Sequence, residues 1–201
     1  MRRWILGLCL LVLSGCSQTA PNSVSETPLP QTSTMEISAQ AAKHTLEIDV
    51  PPTWERRPAG QGPFDLQVLS AKKDMNTGVF LYDRSEFDEG ATLEHMMNLQ
   101  VEDLAGKRRE WKVVEPTNTY SANGINVATC VYSGVKDGGS TNYYKFSAIE
   151  FPEHPETVAT TLQVAFPDKW DKAKPVLEGL VNSLRIKSGE ISPTPQAEST
   201  P

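Results

Sequence analysis

The chain has 201 residues, 38% of them hydrophobic and 22% charged, with 15 Pro and 13 Gly. That length suits one compact domain with tails. The formal charge of -6 argues against a nucleic-acid partner, because phosphate binding needs a concentrated positive field, and anionic lipid headgroups would not attract the chain either.

Met1-Arg2-Arg3 forms a short positive start, and Trp4 to Leu13 is an apolar run of ten residues. At 1.5 Å per residue such a run is too short for a hydrocarbon core ~30 Å thick, so residues 1–15 are predicted to be a cleaved signal peptide. Leu13-Ser14-Gly15-Cys16 follows. This stretch resembles the lipobox of bacterial lipoproteins, in which the cysteine thiol takes a diacylglyceryl group before cleavage. Cys16 is therefore the expected lipidation site and the means of membrane attachment, since two or more acyl chains give stable anchoring. Ser17 at the next position resembles the pattern of lipoproteins sorted to the outer membrane, facing the periplasm, in a two-membrane cell. Arg2-Arg3 lacks the surroundings of a twin-arginine signal, so general secretion is expected.

Cleavage removes Arg2 and Arg3 and no acid, leaving 17 basic against 25 acidic residues, a net charge of -8. It also removes Cys9, and with Cys16 acylated only Cys130 stays a free thiol. No intramolecular disulfide is then possible, and stability must come from a packed core.

Residues 16–40 are rich in Ser, Thr, Pro and Gln, with Pro21, Pro28 and Pro30. They bury too little to offset ordering, so a disordered tether is expected, with a reach of ~25–30 Å. Residues 188–201, with Pro193, Pro195 and Pro201, read as a disordered tail. Between them, residues 41–187 form the predicted domain.

His44 to Val50 alternates through Leu46, Ile48 and Val50, and stops at Pro51-Pro52; it is a predicted strand. Phe64 to Ser70 and the apolar run Gly78 to Asp83 are two more. The period then changes: Leu93, Met97, Val101 and Leu104 share a helical face beside Met96, with Thr92 as N-cap and Lys107, Arg108 and Arg109 after the last turn. Four further strands are predicted at Trp111–Thr117, Ile125–Tyr132, Tyr143–Phe151 and Val158–Phe166, the middle two joined by a turn at Asp137-Gly138-Gly139. Asp168 opens a last helical region through Val176, Leu177, Leu180, Val181 and Leu184, with a break or fresh start expected at Pro175. The order βββ-α-ββββ-α belongs to an α+β domain, in which two amphipathic helices cover an antiparallel β-sheet.

Pro51-Pro52-Thr53-Trp54 at the end of the first strand, the middle helix, Asn123-Gly124-Ile125-Asn126-Val127-Ala128 entering a hairpin and Leu180-Val181-Asn182-Ser183-Leu184 at the close are similar to the PsbP-like superfamily. That group includes extrinsic photosystem II subunits, DcrB-type lipoproteins and a nuclear-transport factor that binds a small GTPase. The resemblance spans residues 43–187. It implies an antiparallel sheet sandwiched by helices and a function of binding or assembly, with no shared active site and no metal or cofactor residues to carry over.

The chemistry-bearing residues show no catalytic, cofactor or metal pattern. His44, His95 and His154 lack metal spacing and read as solvated or capping side chains, although a site that forms only on folding would not show in the spacing. Asp83, Glu86, Asp88 and Glu89 lack the calcium-loop arrangement and read as a solvated loop ahead of a helix. Glu150 and Glu153 are close in sequence, which says nothing of acid–base geometry. Cys130 alternates with Ala128 and reads as a small core thiol. Lys107, Arg108, Arg109 and Lys112 make the basic cluster, and Tyr143, Tyr144 and Phe146 are candidates for a partly outward contact surface. The leading expectation is a non-enzymatic lipoprotein whose domain binds another envelope protein or aids complex assembly. A carrier of a small apolar ligand between sheet and helix, with Met96 and Met97 on its wall, is the alternative. A hydrolase with a non-local site comes last.

Overall fold

The computed structural model describes residues 32–188 apart from 41, 59 and 137. The signal peptide, Cys16, most of the tether and residues 189–201 of the tail lie outside the described residues. In chain order the elements are β1 Ser33–Ile37, β2 Leu46–Val50, β3 Glu55–Arg56, β4 Leu66–Leu69, β5 Met75–Asp83, α1 Leu93–Ala105, β6 Arg109–Ala122, β7 Ile125–Val135, β8 Thr141–Glu150, β9 Thr157–Ala165, α2 Trp170–Asn182 and β10 Arg185–Ile186. A seven-stranded sheet runs β3-β4-β5-β9-β8-β7-β6 and a three-stranded sheet runs β1-β2-β10. Every pairing is antiparallel, as the α+β expectation requires.

Strand alternation divides the core in two. Tyr144, Phe146 and Ala148 of β8 and Cys130 of β7 pack against Met96, Met97, Val101 and Leu104 of α1. Ile149 of β8 and Val127 and Val131 of β7 point the other way. They meet Trp170, Ala173, Leu177, Leu180 and Val181 of α2, together with Ile37, Leu46, Ile48 and Val50 of the small sheet. One face of the large sheet is thus covered by α1, the other by α2 and the small sheet. At the α1 N-terminus the Thr92 hydroxyl accepts from the His95 amide at 3.2 Å, the expected cap.

Asn123 and Gly124, at φ 50° and 80°, form the two-residue turn from β6 to β7; positive φ at both places matches the twist of a tight hairpin, and Gly adopts it without strain. Asn123 Nδ2 also donates to the Asn182 carbonyl at 2.9 Å, which ties this turn to the end of α2. On β10, Arg185 reaches Glu47 at 3.0 Å and Asp49 at 2.9 Å. The guanidinium hydrogen bonds hold the Asp49 carboxyl below the usual carboxylate range.

Four expectations need correction. Residues 33–37, assigned by composition to the tether, are a strand registered Ser33↔Val50 to Ile37↔Leu46. Ile37 is wholly buried and Met35 packs on the same core, so two apolar side chains in a Ser/Thr-rich stretch suffice once β2 supplies the ladder. Pro175 does not break α2, which runs from Trp170 to Asn182. The proline removes one hydrogen bond near the N-terminal end, beside an exposed Asp171, while the buried stripe of Trp170, Ala173, Leu177 and Leu180 holds the helix down. The two-residue strands β3 and β10 carry no periodic signal and were not expected. Finally, Tyr144 and Phe146 are core residues, and Tyr143 is half-buried with its ring 5.4 Å from that of Trp170, so these three do not form an outward contact surface.

Candidate binding groove and side-chain clusters

The helix α1 packs over β8, β7 and β6 and leaves part of this sheet face uncovered. Beside it, toward β5, an open groove of about 430 Å³ remains, a size usual for small-ligand sites. Phe80 and Tyr82 of β5, Phe146 of β8 and Thr160 and Leu162 of β9 form its floor, and Met96, Leu99, Gln100, Asp103 and Leu104 of α1 form one wall. Aromatic rings line up along it, with centroid separations of 4.7 Å for Phe64–Phe80, 6.1 Å for Phe80–Tyr82 and 5.2 Å for Tyr82–Phe87. Phe64 lies flat on Gly78, where any Cβ would overlap the ring; the glycine is what lets this end wall close down. Leu99 is 46% exposed at the rim.

A small polar group sits in this apolar setting. Gln100 Nε2 donates to Thr160 Oγ1, and Tyr82 lies beside both. Burial pushes the Tyr82 phenol above its ordinary value, with Thr160 and Gln100 acting in the opposite direction. Gln100 Oε1 is buried and accepts no hydrogen bond.

The histidines divide. His95 is exposed on the first turn of α1. His44, just before β2, is only 7% exposed, and its Nε2 lies 2.6 Å from Glu156 Oε1. His154 Nδ1 stands 3.8 Å from the same oxygen, and its ring meets that of His44 edge-on at 4.5 Å. The loop carrying His154 and Glu156 is fixed by backbone bonds from His154 to Phe151 at 2.8 Å, from Thr157 to His154 at 2.9 Å and from Arg84 to Glu156 at 2.7 Å. A hydrogen bond from its own backbone, then His44, holds the Glu156 carboxyl below the carboxylate range. His44 and His154 are far apart in sequence, so no spacing rule could have joined them.

The acidic loop does structural work. Asp83 accepts from the Ser85 amide at 3.0 Å and the Ser85 hydroxyl at 2.6 Å, and Glu86 accepts from the Asp83 amide at 2.9 Å. This is a capping box on the 3₁₀ turn Arg84–Glu86. Ser85 is also the main reason the Asp83 carboxyl is held low. Glu150 is engaged by Arg84 at 3.3 Å and Asn126 at 2.9 Å, whereas Glu153 is exposed. In the basic cluster, Lys107 pairs with Asp103 at 2.6 Å, and Arg108 Nε donates to Tyr144 Oη at 2.8 Å. Cys130 is 2% exposed, and burial pushes its thiol up to about 12, with Lys145 pulling it slightly down.

Lys145 was not anticipated. It is 2% exposed beneath α2, with Nζ donating to Thr129 Oγ1 at 2.8 Å. Next to it on β9, Gln163 Nε2 donates to the Leu177 carbonyl at 2.8 Å, while Gln163 Oε1 and Thr161 Oγ1 accept nothing. Burial lowers the Lys145 ammonium pKa, against the attraction of Glu178 and Glu115. Burial also works on Glu115, but hydrogen bonds from Lys174 at 2.9 Å and Trp170 at 3.2 Å outweigh it and keep that carboxyl low. The signal was present in the alternation, which puts Lys145 in phase with the inward-facing Tyr143 and Ile149.

No protein-family model and no curated protein sequence matches the chain. Solved structures do. Cyanobacterial PsbP (CyanoP) from Synechocystis sp. PCC 6803 superposes with a TM-score of 0.55 at 16% identity, over 83% of this chain and 99% of that one. The Saccharomyces cerevisiae Ran-binding protein Mog1p gives 0.55 at 12% identity, over 79% and 96%. LpqN of Mycobacterium tuberculosis, involved in cell envelope biogenesis, gives 0.56 at 11% identity, over 78% and 91%. At these identities the likeness speaks for architecture: a sheet sandwiched by helices in the order described, and therefore a PsbP-like fold.

Proposed function

We propose that the protein is an envelope lipoprotein, anchored through acylated Cys16, whose PsbP-like domain acts by binding an apolar segment of another envelope protein. The observation that carries this reading is the open aromatic groove beside α1, with Leu99 exposed at its rim. A soluble domain rarely leaves such a surface uncovered without a use for it. The lipobox-like Leu13-Ser14-Gly15-Cys16 supports the anchor and, with Ser17, the periplasmic face of an outer membrane in a two-membrane cell. One structural neighbour is described as Ran-binding, which supports a binding role, and another as involved in cell envelope biogenesis, which supports the envelope address.

The test is a photo-crosslinking residue placed at Leu99 in intact cells, with one at the exposed Lys172 of α2 as control. A discrete crosslinked species from position 99 alone is expected. The same diffuse pattern from both positions would overturn the reading.

A second reading is favoured by one specific observation. The Gln100–Thr160–Tyr82 group and the orphaned Gln100 Oε1 give the groove a donor-seeking point inside an apolar wall. That combination suits a small apolar ligand with one hydroxyl or amide. Native mass spectrometry of the purified mature protein would show such a ligand as a fixed added mass, and crosslinking from Leu99 would then yield no protein species.

A further inference from the structure

The geometry points to a zinc site formed by His44, His154 and Glu156. Folding brings one donor atom from each of these residues within 4.8 Å of the other two. They come from two places that share no secondary structure: the entry to β2 and the short loop between β8 and β9.

A hydrogen-bonded clasp explains only part of this arrangement. Glu156 Oε1 is hydrogen-bonded to His44 Nε2 at 2.6 Å, yet His154 Nδ1 is held 3.8 Å from the same oxygen, outside hydrogen-bond reach. The second imidazole is therefore close to the carboxylate without a bond to it. A metal would satisfy all three donors at once. Zinc takes imidazole nitrogen at ~2.0–2.1 Å and carboxylate oxygen at ~2.0–2.2 Å. A tetrahedral shell at those lengths separates its ligand atoms by ~3.3 Å. The 2.6 Å contact must open and the 3.8 Å contact must close, each by well under 1 Å. The two imidazole donors, within 4.8 Å of each other, must close to the same spacing, which torsions of the half-buried His154 can supply.

The donor set also selects the class of metal. Two imidazoles and one carboxylate suit zinc and its transition-metal neighbours, whereas calcium and magnesium want an all-oxygen shell. Supporting groups are in place, since the loop carrying two ligands is pinned by its own backbone bonds and by the Arg84 amide. There is a way in as well: His154 lines an open cleft of about 520 Å³ bounded by Gly124, Phe151 and Arg185. Zinc would then staple the start of β2 to the rim of the large sheet, beside the Lys43–Asp83 ion pair at 3.3 Å.

The test uses the mature protein purified without a histidine tag and stripped with a chelator. Zinc chloride is added, excess is removed by desalting, and retained metal and the zinc-induced rise in melting temperature are measured. One zinc per chain and a clear rise are expected, with calcium chloride giving neither. Glu156→Gln, nearly the same shape, should weaken zinc at least about tenfold. His154→Ala leaves the His44–Glu156 hydrogen bond intact, so it should keep the zinc-free melting temperature and lose the zinc-induced rise. Less than one zinc per chain, or equal retention by the native protein and both variants, would overturn the site.

Discussion

Lys145 puts an ammonium under a helix with one hydroxyl acceptor, a poor exchange for its hydration. The folded state therefore disfavours the charged form, and the pKa falls below the ordinary 10.5. Between the lowered value and 10.5 the unfolded chain binds more protons, so stability rises with pH in that window. Cys130 acts in the opposite sense. Its thiol is raised from 9.0 to about 12, so above pH 9 the unfolded chain ionises and the folded one does not, and stability is lost. The lysine effect is therefore clean only below pH 9. Lys145→Met should raise stability by on the order of 1 kcal/mol at neutral pH, as replacing buried charge by a packed apolar chain often does. It should also flatten the rise in stability toward pH 10.5, which denaturant titrations at several pH values would detect, the Cys130 contribution being common to both proteins. A lower stability with an unchanged pH slope would mean that the ammonium is properly solvated in place.

Among the elements longer than two residues, β1 has the least sequence signal, yet it has a clear energetic role. Trimming the chain to start at residue 41 removes Ile37 and the whole β1 ladder. It should cost more than ~2 kcal/mol, the usual scale for losing a large buried aliphatic side chain, whereas starting at residue 32 should cost nothing. Urea unfolding of the two trimmed chains against the mature protein measures the difference. The longer strands were easier to read because burial imposes a period: in β2 the buried Leu46, Ile48 and Val50 alternate with the half-buried Glu47 and Asp49, and Met97, Val101 and Leu104 follow the helical one. Ser33 to Ile37 has only Met35 and Ile37 to offer, too few repeats to stand out from a Ser/Thr-rich background. The groove was legible only on its α1 side, through Met96. Phe80 and Tyr82 face it because α1 lies over β8, β7 and β6 rather than over β5, and helix placement is a tertiary fact. The His44–His154–Glu156 cluster was illegible for the same reason: its members meet through the packing of β2 beside the β8–β9 loop.

At the scale of the whole molecule, the -8 charge expected after cleavage makes acylation of Cys16 the proposed means of holding the domain at a membrane, since an acidic surface gains nothing from anionic headgroups. Cys16→Ser should give an uncleaved or soluble product without lipid mass, and intact-mass analysis of the native protein should place its N-terminus at Cys16. Any other mature N-terminus would remove the anchor. Lipoproteins held in one leaflet meet each other side by side at high surface density, and exposed sheet borders are then the places where neighbours could polymerise. Here one border of the large sheet is β3, two residues long. The other, β6, is interrupted by register shifts between Arg109 and Lys112, Val113 and Glu115, and Glu115 and Asn118, with Pro116 offering no amide hydrogen. Only Asn118 to Ala122 keeps an unbroken ladder. Short or irregular borders template added strands poorly, so the two edges of the large sheet are poor sites for side-by-side strand addition between copies of the domain.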